Sequence, residues 1–486
     1  MDLRRRHLLA LVATLLPGCR EPVGVAPVQR AAQRTGPPTA YRSTRIEGVP
    51  HVEQKPDFCG EAVAAAYLNG LGADWSQDDV FAVSGMDPAR GMGATTRELK
   101  TALETIGLSV GPVWHQVPAN DQSALEALWA AVHADLEAGV PSIVCTRFDE
   151  RPNTTEHFRL IVGYDAATDE VLFHEPAEAK GAYRRMARAR LMALWPLKYE
   201  ADRWTVIRLR LEPGTLATPP RFSFHAPADF AQHVRALRRR LPEGFSLVVE
   251  PPFVVVGDED EATVARRAAG TVRWTVKQLE AAYFTRPPRH VLDVWLFRDA
   301  GSYDHHANRL FERTPSTPYG YYSERDRALI MNIATGGGTL VHEIVHPYVD
   351  ANFPACPAWF NEGLGSLYEQ SAERDGKIVG LTNWRLAGLQ RAIAAGRLGT
   401  IEALCNTTTG EFYDEDPGTH YAHARYLLYY LQEQGKLRGY YKAFHAARGE
   451  DPSGYATLVA TLGERDMGAF QRRWERWVME LSLIHI

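Results

Sequence analysis

The string His342-Glu343-Ile344-Val345-His346 constrains this chain more than any other short run in it. On a helix, two histidines four residues apart lie on the same face, one turn above the other. Both imidazoles then reach one metal ion at about 2.0–2.1 Å, and neutral imidazole suits Zn²⁺. Glu343, beside them, is placed to act as general base on a metal-bound water. A catalytic zinc needs a third protein ligand and one open position. Sixteen residues after His346 comes Glu362, within Pro357-Ala358-Trp359-Phe360-Asn361-Glu362-Gly363-Leu364. Pro354 and Pro357 mark a turn, and the string from Ala358 reads as a second helix. Folded back antiparallel, that helix presents Glu362 to the same ion. Thr339 is the candidate cap of the first helix. Pro347 should bend that helix or change its course after His346. Asp350, one turn beyond His346, reads either as an orienting partner of a ligand or as a solvated surface acid. Gly336-Gly337-Gly338 is followed by no Lys-Ser/Thr, so it reads as a tight turn and not as a phosphate loop.

The surrounding pattern runs from about 225 to 480. A helix is expected at about 227–240, a strand over Phe245 to Val256, a long helix near 260–283, and strands at His290 to Phe297 and Ala328 to Ala334. Beyond Thr339 the pattern is helical almost to the end. An HExxH string followed by a helix reading Asn361-Glu362-Gly363-Leu364 resembles the gluzincin metallopeptidases, the thermolysin-like clan. The resemblance implies a small mixed sheet with a mainly helical C-terminal part. It implies Zn²⁺ held by His342, His346 and Glu362, and peptide-bond hydrolysis by zinc-bound water that Glu343 activates. An extended substrate would lie along the edge strand before the motif helix, expected here as Ala328 to Ala334. The family also supplies a Tyr or His that stabilises the oxyanion. In His420-Tyr421-Ala422-His423-Ala424-Arg425 the favoured candidate is Tyr421, since a phenol donates without a charge change. Ordinary helix residues are the other reading of that string.

The first half carries a second constellation. His51-Val52-Glu53-Gln54-Lys55-Pro56-Asp57-Phe58-Cys59-Gly60 leads into an Ala-rich helix over Gly60 to Leu71, and a helix N-terminus favours a thiolate. Helical spacing returns at Thr96 to Ile106 and Ala124 to Ala138. Strand-like runs follow at Ser142 to Thr146, Phe158 to Tyr164, Glu170 to Phe173 and Trp204 to Leu211. A helical half followed by a sheet half predicts an α+β domain. The order Gln54, Cys59, His157, Glu175 resembles papain-like cysteine peptidases, closest to the branch that processes bacteriocin leaders. The resemblance implies that Cys59 attacks the carbonyl, His157 serves as base and then acid, and Glu175 orients the imidazole. The Gln54 amide and a backbone N–H would hold the oxyanion. Glu175 stands where that family has Asp or Asn.

The N-terminus is not fold. Arg4-Arg5-Arg6 precedes the apolar run Leu8 to Leu16, too short to span a bilayer but long enough for a signal-peptide core. Leu16-Pro17-Gly18-Cys19 resembles a bacterial lipobox, which implies export and a membrane anchor on a lipidated Cys19. Arg5-Arg6-His7-Leu8-Leu9 resembles, more weakly, a twin-arginine signal. An unlipidated signal peptide is the alternative. The predicted organisation is therefore a signal segment (1–19), a Pro-, Ala- and Gly-rich tether (20–45), a papain-like domain (46–212), a linker (213–224) and a gluzincin domain (225–480). The last residues, 481–486, read as a truncation or cloning scar.

A chain of 486 residues has room for two or three domains, and 23% charged residues argue against disorder. A net charge of −5 gives no electrostatic reason to expect nucleic acid as partner. The expected partners are a peptide or protein substrate and the membrane. Cys59, Cys145, Cys356 and Cys405 lack CxxC spacing, so they form no metal knuckle, though one or two disulfides are open to them. Two rival functions remain open at this point. One is a non-catalytic envelope binding lipoprotein with a structural zinc, closed by Cys356. The other is a Cys-dependent amidase or transglutaminase-like enzyme acting on cell-wall peptides.

Overall fold

A computed structural model describes residues 41–482. The signal segment, Cys19, the tether up to residue 40 and residues 483–486 lie outside the described residues. The chain divides into two compact units between Arg239 and Arg240.

The first unit runs through β1 (Thr44–Arg45), α1 (Cys59–Gly70), α2 (Gln77–Ala82), α3 (Thr96–Ile106), β2 (Leu108–Ser109), β3 (Trp114–Pro118) and α4 (Gln122–Glu137). It continues with β4 (Ser142–Arg147), β5 (Glu156–Asp165), β6 (Glu170–His174), β7 (Arg184–Ala187), α5 (Arg188–Leu194), β8 (Arg203–Arg210), β9 (Glu212–Pro213) and α6 (Pro227–Arg238). Its sheet is antiparallel in the order β3-β8-β4-β5-β6-β7, with β1 also paired to β5. Side chains alternate across a strand, and both faces are covered. Phe158, Leu160 and Val162 of β5 share a core with Val63 of α1 and Leu99 of α3. Val144, Ile161 and Phe173 face Leu125 and Trp129 of α4. Burial on both faces explains why these strands read as continuous apolar runs.

Two boundaries differ from the sequence reading. Thr44 and Arg45, expected in the tether, pair with Tyr164 and Gly163. Helix α6, expected to open the second domain beyond a linker at 213–224, belongs to the first unit. The reason is apolar: Ala226, Ala228 and Ala231 share a cluster with Phe58, Phe81 and Met86.

The second unit begins with β10 (Ser246–Glu250), β11 (Phe253–Gly257), α7 (Glu261–Arg267), α8 (Trp274–Ala282), β12 (Leu292–Phe297), α9 (Ala300–Phe311), β13 (Gly320–Ser323) and β14 (Ala328–Asn332). Then come α10 (Gly338–Asn352), α11 (Ala358–Tyr368), the hairpin β15 (Ser371–Arg374) and β16 (Lys377–Gly380), and α12 (Arg385–Ala394), α13 (Ile401–Cys405), α14 (Thr409–Asp414) and α15 (Pro417–Glu433). Helices α16 (Leu437–Ala447), α17 (Tyr455–Leu462) and α18 (Met467–Glu480) complete it. The sheet order is β10-β11-β12-β14-β13, with β11-β12 and β12-β14 parallel and the two outer pairs antiparallel.

Here too the sequence reading needs correcting. Phe245 to Val256 is a hairpin of two strands, broken at Pro251-Pro252, because proline cannot donate to a sheet ladder. The helix expected over 260–283 contains a π-helical stretch, Ala268–Arg273. Strand β14 is not the edge, since β13 pairs along it and takes the edge position. The β15-β16 hairpin interrupts the helical stretch expected after Thr339. Helix α10 is capped by Gly337, which puts Thr339 inside its first turn. It runs through Pro347 to Asn352 without a break. No disulfide joins the described cysteines. Among the described residues, no helix is long and apolar enough to cross a membrane.

Candidate active sites

In the second unit, α10 carries His342, Glu343 and His346, whose ligand atoms lie within 4.8 Å of one another. Helix α11 brings Glu362 to them. Glu362 Oε2 is 3.0 Å from His342 Nε2 and 3.8 Å from His346 Nε2. Gly365 suits the close approach, since a Cβ there would crowd the His342 ring at 3.0 Å from Nε2.

Each of these three side chains is held from behind. His342 Nδ1 is 3.1 Å from Glu369 Oε1, and Arg385 grips Glu369 with two bonds of 2.9 and 2.7 Å. Asn383 Nδ2 donates to the same carboxylate at 3.1 Å. His346 Nδ1 meets Asn361 Oδ1 at 3.0 Å. The Tyr413 hydroxyl donates to Glu362 Oε1. His342 Nε2 is at hydrogen-bond distance from Glu362 Oε2; with both imidazoles neutral and their protons on Nδ1, the two Nε2 lone pairs would face that oxygen.

The electrostatics favour a cation at that point. Burial opposes charge on His342, but Glu362 and Glu369 outweigh it and push the imidazole up to about 10. Burial alone would raise Glu362; His346 and His342 hold it down at about 2. Burial likewise opposes ionisation of Glu369, and His342 and Arg385 hold it at about 2. Burial pushes the Glu343 carboxyl up, against the pull of the two histidines, and its Oε2 accepts from the Tyr322 N–H on β13 at 3.0 Å. Two imidazoles and a carboxylate converging on one point, each fixed by an outer partner, are a donor set that suits zinc.

A cavity of about 1040 Å³ opens over His342 and Glu343 and is also lined by Tyr421, Trp384 and Tyr319. Tyr421 lies 6.3 Å, ring to ring, from His342, with the Arg385 guanidinium 4.9 Å from its own ring. Burial, reinforced by Glu362, pushes the Tyr421 phenol well above its usual range, and the Tyr413 phenol likewise. Both keep their protons at neutral pH. Asp350 is exposed, and His346 Nδ1 turns to Asn361 instead. Cys356 points its sulfur at Pro357 O, 3.8 Å away, and lies outside the ligand group.

Sequence reasoning missed Asn361, Glu369, Arg385 and Tyr413. Asn361 immediately precedes Glu362, and Glu369 follows it by two helical turns, so both had a local signal. Arg385 and Tyr413 come from separate helices and had none.

In the first unit, His157 Nε2 and Glu175 Oε1 are 2.5 Å apart. Arg159 Nε donates to Glu175 Oε2 at 2.8 Å, and its Nη1 to Thr146 Oγ1 at 2.5 Å. The Phe148 ring stands edge-on to His157 at 5.0 Å. Burial pushes the His157 imidazole down, against Glu175. Burial would raise Glu175, but His157 and Arg159 hold it at about 2. Gln54 stands beside this turn, its backbone N–H donating to Pro176 O at 2.9 Å, with its Oε1 buried and unpartnered. Cys59 is the first residue of α1 and is buried. The first turn of α1 rests on β5: a Cβ at Gly60 would be 3.1 Å from Phe158 Cδ2, next to His157. Arg159 was missed, although a charge inside an otherwise apolar buried strand has to be paired. Glu61 was missed as well; its Oε1 accepts from Ala94 N at 2.6 Å, and burial pushes it up to about 8.

No curated protein matches the chain. Among solved structures, the peptidase domain of Streptococcus ComA, a bi-functional ABC transporter involved in quorum sensing, is similar at 15% identity. That match covers 34% of this chain and 98% of the other, with a TM-score of 0.23. Residues 46–204 match the Peptidase_C39 like family, so the first unit carries a papain-like domain of a cysteine-peptidase family.

Proposed function

We propose that this protein is an exported, lipid-anchored peptidase whose second unit cleaves peptide bonds at a zinc site built on His342, His346 and Glu362. The observation that carries the reading is the position of Glu362 Oε2, which faces both imidazole Nε2 atoms while each ligand is held by its own outer partner. Bound Zn²⁺ would polarise the scissile carbonyl and lower the pKa of the attacking water. Glu343 takes the water proton as the oxygen attacks and delivers it to the leaving amine. Its raised pKa suits that exchange at neutral pH. Tyr421, protonated in the cavity wall, donates to the oxyanion of the tetrahedral adduct. The substrate is a peptide or protein, and it enters the cavity beside the edge strand β13, whose Tyr322 N–H already faces Glu343. Zinc stoichiometry tests the site, and peptide cleavage by wild type against Glu343→Gln tests the chemistry. Cleavage unchanged in Glu343→Gln would remove the reading. Anchoring at Cys19 is tested by palmitate labelling, lost in Cys19→Ser.

A second activity in the first unit is favoured by the His157–Glu175 bond and the family match. In it Cys59 is the nucleophile, His157 the base, Glu175 its orienter and Gln54 an oxyanion donor. Iodoacetamide at neutral pH tests it, because an activated thiolate reacts faster than a free thiol.

A further inference from the structure

We infer that α6 is a positioning clamp on the nucleophile-bearing segment of the first unit, so that the cysteine site is complete only through Arg239, beyond the family match that ends at residue 204. The inference rests on the reading of Cys59 as nucleophile. The segment Lys55-Pro56-Asp57-Phe58 delivers Cys59 to the start of α1. Asp57 has φ of 71°, the left-handed region that a residue with a side chain seldom occupies unless its surroundings hold it there.

Helix α6 supplies much of that hold. Gln232 Nε2 donates to Pro56 O at 3.0 Å, and Arg235 Nη1 lies 3.3 Å from Asp57 Oδ2. Ala226, Ala228 and Ala231 close the pocket of Phe58, whose ring is buried and stacked 4.9 Å from Phe81. Ala228, Ala231, Gln232 and Arg235 fall at helical spacing on one face, so one side of α6 seats on residues 56–58. The same helix grips the neighbouring loop. Arg238 Nη2 donates to Ala89 O at 2.8 Å, and a Cβ at Gly91, φ 66°, would come within 2.9 Å of Arg235 N. That loop returns to the segment, with Gly93 N–H donating to Asp57 Oδ2 at 3.3 Å and Ala94 N–H to Glu61 at 2.6 Å. Apolar seating, an ion pair and a carbonyl bond thus fix the three residues before Cys59 from a helix absent from the matched region. Gln232 and Arg235 are positioning residues: they act on the thiol through the backbone that carries it.

The test is alkylation of Cys59 by iodoacetamide in the full-length protein across a pH series, read by peptide mass spectrometry. Buried Cys145 serves as the internal reporter of unfolding. Wild type is compared with Arg235→Ala, Arg235→Lys, Gln232→Leu and the Gln232→Leu/Arg235→Ala double variant. The proposal expects Cys59 alkylation in the double variant to slow about tenfold at neutral pH, or its pH midpoint to rise. It expects Arg235→Lys to recover most of the wild-type profile while Cys145 stays protected. A double-variant profile that superposes on wild type, with Cys145 protected, overturns it. If loss of Arg235 exposes Cys145, Gln232→Leu decides, since it keeps the side-chain bulk and removes only the bond to Pro56 O. An unchanged profile there overturns the proposal, and a slowed one sustains it. A wild-type Cys59 no faster than a free thiol removes the nucleophile reading itself, and the clamp's role with it.

Discussion

The two units each bring a buried carboxylate to an imidazole, and they surround it differently. In the first, both oxygens of Glu175 are engaged, one by His157 and the other by Arg159, and His157 is almost wholly shielded. In the second, Glu362 gives one oxygen to Tyr413 and turns the other toward two imidazoles, one of which, His342, lines an open cavity. A carboxylate with both oxygens engaged by protein orients a neighbouring base. One whose oxygen lies against two imidazole nitrogens would, on the proposed reading, share a zinc ion with them. On the proposed reading, the contrast separates a carboxylate that acts through histidine from one that acts beside it.

The strongest way to break the comparison is to remove Glu343, the proposed proton carrier of the second site. Glu343→Gln should lower peptide cleavage roughly a hundredfold to ten-thousandfold with zinc content unchanged, measured on paired samples. If cleavage survives and instead follows Cys59→Ala, the first unit carries the activity. Next, Glu369→Gln weakens the outer hold on His342. Zinc affinity, read by competition with a chelator, should fall about 10- to 100-fold. The same substitution at Asp350, which is exposed, should leave it unchanged.

The legible part of the second site was local. HExxH and the Asn-Glu-Gly-Leu helix are short-range patterns, and helical geometry alone brings their side chains into line. Position in the sheet was less legible. The edge strand β13 is four residues, Gly320-Tyr321-Tyr322-Ser323, too short to declare itself, so the sequence pattern points to its neighbour β14 as the edge. Helix α6 is legible in the sequence but its unit is not, because its partners Phe58 and Phe81 lie far back in the chain. In the first unit the ordered set Gln54, Cys59, His157 and Glu175 was readable, but the pairing of Arg159 with Glu175 needed the β5-β6 register.

The pH response sharpens the contrast further. Glu175 sits at about 2 against an ordinary 4.5, a depressed carboxyl. Its stabilisation is therefore fully present above pH 4.5 and is lost as pH falls from there toward 2. Over that window the first unit should lose at most on the order of 3 kcal/mol from this group, and Glu175→Gln should flatten the dependence. Thermal unfolding as a function of pH checks it. The smallest effect is expected at the cavity wall. Trp384 is 65% exposed, held against the Arg385 guanidinium at 4.4 Å, and faces the same space as Glu343. Trp384→Ala should raise KM several-fold for peptides with large apolar side chains, with kcat nearly unchanged, since burial of such a side chain contributes roughly 1.5–3 kcal/mol at most. A fall in kcat alone would place Trp384 in the catalytic step.

The central claim is the three-ligand metal site, and the most direct test is zinc per chain in metal-repleted soluble protein, wild type against Glu362→Ala, by elemental analysis. The account predicts close to one zinc in the wild type and clearly less in the variant, with both folded by circular dichroism. A folded wild type that takes up no zinc, or a Glu362→Ala variant that retains it in full, would contradict the account.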